Sequence, residues 1–361
     1  MMIMNPSEIF QAVLIGTAVG DSLGLPREGL SRRRSRKMWG SAPLRHRLFF
    51  GRGMISDDTE HTCMAAQALI VSGGEPRRFA RSLSWRLRWW LGGLPAGVGS
   101  ATLRSIIKLW IGFPPAHSGV FSAGNGPAMR AAILGVYSAV AKGDEKSLRD
   151  LVRSSTRLTH TDPTAEQGAL AVAIAARLAS ENGIPSPTAI EMLDAIVSRI
   201  ESPELLKRLL IARDHLLRQS SCEIFADELG LQRGVSGYVL HAVPVAIYCW
   251  LRWPGDFRSA LESAILLGGD TDSVGAIVGA LAAISVGTPE IPTEWRNGII
   301  EWPRSTAWMD RLGQRLAVSI SNPNRENTRA LGLFWPGIGV RNLVFLAVVV
   351  LHAVRRLLPP Y

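Results

Sequence analysis

Residues 268–284 read GGDTDSVGAIVGALAAI. A Gly-Gly break comes first, then carboxylates alternating with hydroxyls: Asp270, Thr271, Asp272 and Ser273. An apolar run follows at once. That order predicts a loop entering a buried helix, where free N–H groups and the helix dipole favour negative charge. Gly275 and Gly279, four apart, predict close packing of this helix against another. A second stretch, GMISDDTEHT at 53–62, has the same design: Ser56, Asp57, Asp58 and Thr59 open a helical segment. One Asp suffices to cap a helix. Four carboxylates with hydroxyls exceed that need, and hard oxygen donors suit Mg²⁺, Mn²⁺ or Ca²⁺ rather than zinc. Two such cations about 4 Å apart would neutralise the clusters and orient a substrate. Neither cluster has EF-hand spacing. Residue chemistry alone leaves two readings, helix caps or the halves of a metal site.

Working outward, helical spacing dominates. Asn5, Pro6 and Glu8 start a first helix, with Gly20 as its expected end. Further helices are expected over 58–72, 76–91, 98–111, 126–142, 164–181, 187–200, 203–217, 238–251, 257–267, 273–286 and 305–319. No alternating strand pattern and no fixed-period repeat is evident. The chain therefore reads as all-α: a compact multi-helix domain over 1–320, a polar linker at 321–330 and an apolar, basic tail over 331–361. With 361 residues, 47% of them hydrophobic, a large core is available. The formal charge of +10 favours anionic partners. Three scattered cysteines, Cys63, Cys222 and Cys249, form no disulfide framework, and the N-terminus has no basic n-region. A cytoplasmic protein, peripheral to a membrane if the tail anchors it, is the expectation.

Two more loops are unusual. GDSLGLPRE at 20–28 combines glycines with Asp21 and ends on Glu28; AGNGPAMR at 123–130 is a Gly-Asn-Gly turn opening a helix. Taken singly, each reads as an ordinary turn. Together with the acidic clusters they form an ordered set. Gly20-Asp21 with Gly24 and Glu28 comes first, then Ser56-Asp57-Asp58-Thr59, then Gly124-Asn125-Gly126 with Met129-Arg130. Thr159-His160 with Asp162-Pro163 and the segment Gly268–Ser273 complete it. Over residues 7–320 this order resembles the ADP-ribosylglycohydrolase family, which includes the dinitrogenase reductase-activating glycohydrolase.

The resemblance implies a compact all-α domain with a binuclear Mg²⁺ or Mn²⁺ centre. Its ligands by motif position would be Ser56, Asp57, Asp58, Asp270, Asp272 and Ser273. Serine stands where threonine is common at 56 and 273, and the hydroxyl is retained. The implied reaction is hydrolysis of the glycosidic bond joining ADP-ribose to an acceptor, such as a protein side chain. Asp57 and Asp58 are candidates for the ligand and base roles, and Glu28 for base, gate or substrate contact. Gly124, Asn125 and Gly126 would bind pyrophosphate or ribose through backbone N–H groups, and His160 would contact substrate. Glu60 and His61 are expected either as partners behind the ligands or as polar surface.

RRRSRK at 32–37 fits a solvated loop, with a nucleic-acid patch as the competing reading. Arg77, Arg81 and Arg88 share a face of the 76–91 helix, with Trp85 and Trp89 interleaved and Trp90 assigned to the core. The tail, apolar from Leu343 to Val354 and ending in Arg355-Arg356, is too short to span a bilayer on that run. It is expected to dock on the domain or to anchor at an interface, with Trp335 and Tyr361 at headgroup level, and to take no part in catalysis. The alternatives to a hydrolase are an inactive ADP-ribose-binding protein and a membrane-associated interaction protein. Intact acidic clusters argue against the first of these.

Overall fold

The structure is a computed structural model that describes residues 4–182, 188–321 and 329–359. Most of the expected 321–330 linker, and Tyr361, lie outside the described residues. The helices run in the order α1 (Pro6–Gly24), α2 (Arg32–Trp39), α3 (Asp57–Ser72), α4 (Pro76–Gly92), α5 (Ser100–Trp110), α6 (Gly126–Met129), α7 (Ala132–Val140), α8 (Glu145–Arg157) and α9 (Pro163–Asn182). Then follow α10 (Ala189–Val197), α11 (Pro203–Leu217), α12 (Cys222–Glu228), α13 (Val239–Arg252), α14 (Phe257–Ile265), α15 (Thr271–Val286), α16 (Thr293–Arg296), α17 (Thr306–Ser321) and α18 (Trp335–Arg356). Among the described residues the strands are one antiparallel pair, β1 (Leu30–Ser31) and β2 (Gly268–Gly269). The all-α expectation holds.

One helix pair organises the rest. α1 and α15 are buried almost throughout, and their glycines meet. A Cβ on Gly20 would lie 1.9 Å from the Gly275 carbonyl oxygen, and one on Gly16 would lie 2.2 Å from that of Gly279. Only glycine lets the two backbones approach so closely. This is why α1 runs on past Gly20 to Gly24: the glycine serves packing, not termination. The contact carries the start of α15, with its acidic loop, to the C-terminal end of α1 and the Glu28 turn.

Other departures have local causes. RRRSRK is helical, not a loop. Ser31 caps α2, and Arg27 lies across its C-terminal end, donating to Gly40 O at 3.0 Å and Trp39 O at 3.2 Å. Arg32 and Arg36 pair with Asp227 and Glu223 of α12, which takes two of these cations away from any nucleic-acid face. The expected 126–142 helix breaks at Arg130–Ala131 into α6 and α7. α8 fills a stretch outside the expected helices, where Leu148, Leu151 and Val152 are the few buried apolar residues and give only a weak helical pattern. Asp144, which caps it by accepting from Ser147 N at 2.8 Å, was the available signal.

Candidate active site

Asp21 sets the first acidic loop. It is fully buried in α1, and its Oδ2 accepts the backbone N–H of Ser56 at 2.8 Å and of Thr59 at 3.2 Å, as well as the Thr59 hydroxyl. This carboxylate, not a residue of the loop, therefore holds the start of α3. Ser56 caps α3 in turn. Asp58 stands at the meeting point of the two clusters: its Oδ2 accepts from Ser56 Oγ at 3.1 Å and from Ser273 Oγ of α15 at 3.3 Å. Asp58 and Asp272 are buried, whereas Asp57 and Asp270 are half-buried. All four line one cavity of about 250 Å³ with Glu28, Ser273, Gly124, Asn125, Gly126 and His160. The structure thus brings together all the site residues expected from the sequence except Ser56, which is tied to the cavity through Asp58.

Electrostatically the cavity is unbalanced. Burial, then the neighbouring carboxylates, push Asp57, Asp58 and Asp272 well above the usual carboxylate range. Burial pushes Asp21 up to about 6 against its stabilising hydrogen bonds. Oδ1 of Asp21, Asp58 and Asp272 is buried without a hydrogen-bond partner. Those of Asp58 and Asp272, which repel each other and line the polar cavity, are the kind of donor a hard divalent cation satisfies. The residues fit such a cation, although among the described residues no three His, Cys, Asp or Glu side chains form a closed ligand group.

The cavity walls are cross-braced. Asn125 Nδ2 donates to Asp270 Oδ2 at 2.7 Å. Fully buried Arg130 donates to Gly126 O at 3.0 Å, Thr159 Oγ1 at 2.8 Å and Ser155 O at 3.0 Å, joining the Gly-Asn-Gly loop to the Thr159-His160 loop. His160 rests against Gly124 and Gly126, its Nδ1 2.9 Å from Thr159 Oγ1. Burial and then Arg130 push its imidazole down to about 3, so it is neutral at physiological pH. Two of the three amides of the expected anion cradle are already engaged within the protein. The Asn125 amide is spent on Gly237 O at 2.9 Å and the Gly124 amide on Ser122 Oγ at 3.3 Å. α6 is also a single turn. The loop shapes the cavity and orients Asp270 rather than offering a row of free amides.

Glu28 stands at the rim, shared with a neighbouring cavity of about 600 Å³ that also touches Gly237 and Asp270. Pairing of β1 with β2 holds it opposite Asp270: Leu30 faces Gly269, and Gly29 N donates to Gly269 O at 2.7 Å. Gly268 and Gly269 have φ of +73° and +84°, and a Cβ on Gly269 would lie 2.0 Å from Val235 O. Burial and then Asp270 raise the Glu28 carboxyl, while Arg356 of α18 opposes the rise.

Behind α3, Glu60 and His61 are buried, not surface. Glu60 accepts from Trp90 Nε1 at 2.6 Å and pairs with Arg304, while His61 Nδ1 lies 3.3 Å from Arg130 Nη1. The tail joins this layer. α18 docks, as one reading expected, but it reaches the site at two points. Arg341 donates to Ile55 O and bridges Glu301 at 2.7 and 2.9 Å. Arg356 lies 3.4 Å from Pro26 O and 3.5 Å from Leu25 O in the Glu28 turn. These contacts run to backbone carbonyls of the two loops, as a docked helix makes them, and leave the expectation of a non-catalytic tail standing as an expectation. A larger cavity, about 1090 Å³, lies elsewhere, between Trp85, Trp89 and Trp335, and among the described residues no carboxylate lines it.

Two acidic helix starts locked on a glycine-seamed helix pair, with Glu28 opposite, match a known sequence family: residues 4–326 fit the ADP-ribosylglycohydrolase model. The chain belongs to the ADP-ribosylglycohydrolase family. It is similar to the ADP-ribosyl-[dinitrogen reductase] glycohydrolase of Rhodospirillum rubrum, at 25% identity over 78% of this chain and 86% of that protein. It is 32% identical to the bovine ADP-ribosylhydrolase ARH3 over 51% of this chain, a match that spans 56% of the bovine protein. A solved ADP-ribosylglycohydrolase-related protein complex superposes with a TM-score of 0.62 at 26% identity, covering 87% of this chain and 98% of that one. As a member, this chain is a glycoside hydrolase of ADP-ribose conjugates. α18 lies beyond the matched residues.

Proposed function

We propose that this hydrolase cleaves the bond between the ADP-ribose anomeric carbon and its acceptor in a divalent-cation-dependent reaction, reversing ADP-ribosylation. One observation carries the reading. Asp57 and Asp58 of α3 and Asp270 and Asp272 of the α15 junction converge on one cavity, and Asp58 and Asp272 each have a buried, unpartnered Oδ1. Ser56, Asp57, Asp58, Asp270, Asp272 and Ser273 would hold two Mg²⁺ or Mn²⁺ ions. When bound, the ions supply positive charge that neutralises the cluster and Lewis acidity that polarises ligand oxygens.

The chain's own residues do the rest. Asn125 fixes the orientation of Asp270. Neutral His160, packed on Gly124 and Gly126, offers a ring edge to a ribose hydroxyl without adding charge. Glycosidic cleavage passes through an oxocarbenium-like state and needs a proton at the departing atom and a base for the attacking water. Glu28 at the rim has a raised carboxyl and solvent access, so it can carry a proton to or from the leaving side. Asp57 faces the same cavity from the opposite helix and is the base candidate. Both acidic clusters are complete, which favours an enzyme over an inactive ADP-ribose binder.

The test is release of free ADP-ribose from ADP-ribosyl-arginine protein, ADP-ribosyl-serine peptide and ADP-ribosylated nucleic acid, with Mg²⁺, Mn²⁺ or chelator. Metal-dependent release from one of them, lost in Asp57→Asn/Asp58→Asn, supports the reading and names the acceptor. Release that persists in chelator would overturn the metal assignment.

A further inference from the structure

We propose that the outer face of α18, with the basic segment between Glu28 and Asp57, is a docking surface for an anionic lipid bilayer that lies against the helix and is not spanned by it. The inference does not depend on the catalytic reading.

α18 is two-sided. Its most apolar window has a mean hydropathy of 2.0, yet only 33% of it is buried; the comparable window of α1, at 1.3, is 94% buried. α1 is core, whereas α18 is apolar without a partner on its outer side. Val340, Leu343, Val350, Leu351, Val354 and Leu357 are each more than half exposed. A contiguous apolar face of this size on a soluble surface marks an interaction site.

The inner side keeps the helix from leaving to cross a membrane. Arg341 is 5% exposed, bridges Glu301 and donates to Ile55 O. Asn342 donates to Gly93 O at 2.6 Å, and His352 Nε2 lies 2.7 Å from Leu48 O. Insertion as a spanning helix would carry Arg341 into hydrocarbon and strand Glu301 in the domain. The helix is fixed with its apolar face outward.

Charge identifies the occupant. α18 contains no Asp or Glu, and between Glu28 and Asp57 the chain has eight Lys and Arg and no carboxylate. That basic segment packs beside α18. The Trp39 and His352 rings are 5.7 Å apart, Leu48 and Met54 share a core with Phe345 and Val348, and Arg34 donates to Arg356 O. Arg33, Arg45, Arg47 and Arg52 remain on the surface. Between the last two, Phe50 is 93% exposed on a loop tip with φ of +45°. At the other end of α18, Phe334, Trp335 and Trp302 are about half exposed, as aromatic residues are at a headgroup boundary. An apolar face plus a polybasic patch is the two-signal arrangement that holds a protein stably on an anionic membrane. A second copy of this chain is a poorer occupant, because a two-fold contact would set one basic segment against its equal.

The full-length protein is to be floated with vesicles of phosphatidylcholine alone and of phosphatidylcholine mixed with phosphatidylglycerol. Flotation with the mixed vesicles, at least tenfold stronger than with the neutral ones and reduced by salt, is expected. Leu343→Glu/Leu351→Glu should abolish it with unchanged circular dichroism and melting temperature. Arg45→Glu/Arg47→Glu leaves the apolar face intact and should remove the preference for the anionic lipid, so the proposal stays testable if the first variant misfolds. No flotation with either vesicle overturns it. So does a solution dimer, seen by light scattering, that Leu343→Glu/Leu351→Glu dissolves: the face then belongs to a second copy.

Discussion

Arg341 of α18 donates from Nη2 to the carbonyl of Ile55, the residue before Ser56, while Nε and the same Nη2 bridge Glu301. Glu301 in turn accepts the Ile55 N–H at 3.1 Å. The first acidic loop is thus held from outside by a helix that the family match does not include. Arg341→Met keeps most of the volume and leaves Glu301 buried without its cation, which costs about 3–5 kcal/mol. A lower melting temperature together with a lower kcat is expected. Adding Glu301→Gln should recover part of the stability, a coupling that a double-mutant cycle measures. Equal melting temperatures for Arg341→Met and the wild type would show that the strap carries no load.

Asp58 is surrounded by like charge, so Asp58→Asn separates function from stability. Asparagine still accepts from Ser56 and Ser273 through Oδ1. The metal-free variant should melt above the metal-free wild type, because a repulsive carboxylate is gone, while turnover falls by about 100-fold or more. Mg²⁺ or Mn²⁺ should raise the melting temperature of the wild type and not that of the variant. A metal-free variant that melts lower than the wild type contradicts the charge argument.

Chelation should expose a pH slope. Asp57, Asp58 and Asp272 have folded-state values raised well above those of the unfolded chain. Their contribution to stability is present below the unfolded value, about 3.9 for Asp, and is lost as pH rises through the folded values. His46, His61 and His160 are shifted down and act in the opposite sense, destabilising the fold as pH falls below about 6.5. Above that pH the histidines add little further slope. Melting temperature in chelator should therefore fall as pH rises above about 6.5, and saturating Mg²⁺ should flatten the curve. Parallel curves with and without metal would argue against cation binding at these carboxylates.

Gly20→Ala tests the seam between α1 and α15. The new methyl meets the Gly275 carbonyl and Ala276 N, both backbone, so the helices must part. A loss of about 3 kcal/mol is expected, with weaker metal binding because the two acidic helix starts separate. Gly92→Ala, at the end of α4 where nothing lies within 4 Å of the added carbon, is the control and should be neutral or slightly stabilising. Urea unfolding of both variants decides it.

What the sequence determined by itself was the chemistry in each short segment. Carboxylates and hydroxyls at two loop-to-helix junctions, glycines spaced four apart and helical apolar spacing are local signals, legible because capping, packing and periodicity act over a few residues. Tertiary structure decided what those segments do to one another. Asp21, buried in α1, organises a loop 35 residues away. The Gly124 and Asn125 amides, which looked free for a ligand, are spent on Ser122 and Gly237. RRRSRK became a helix because Ser31 caps it, Arg27 closes its end and acids of α12 pair with it. The tail, an appendage by composition, sets Arg341 behind Ser56 and Arg356 behind Glu28. A hydrogen bond or ion pair across some 300 residues leaves no period and no spacing in the chain. It exists only once the folded chain has brought the partners together.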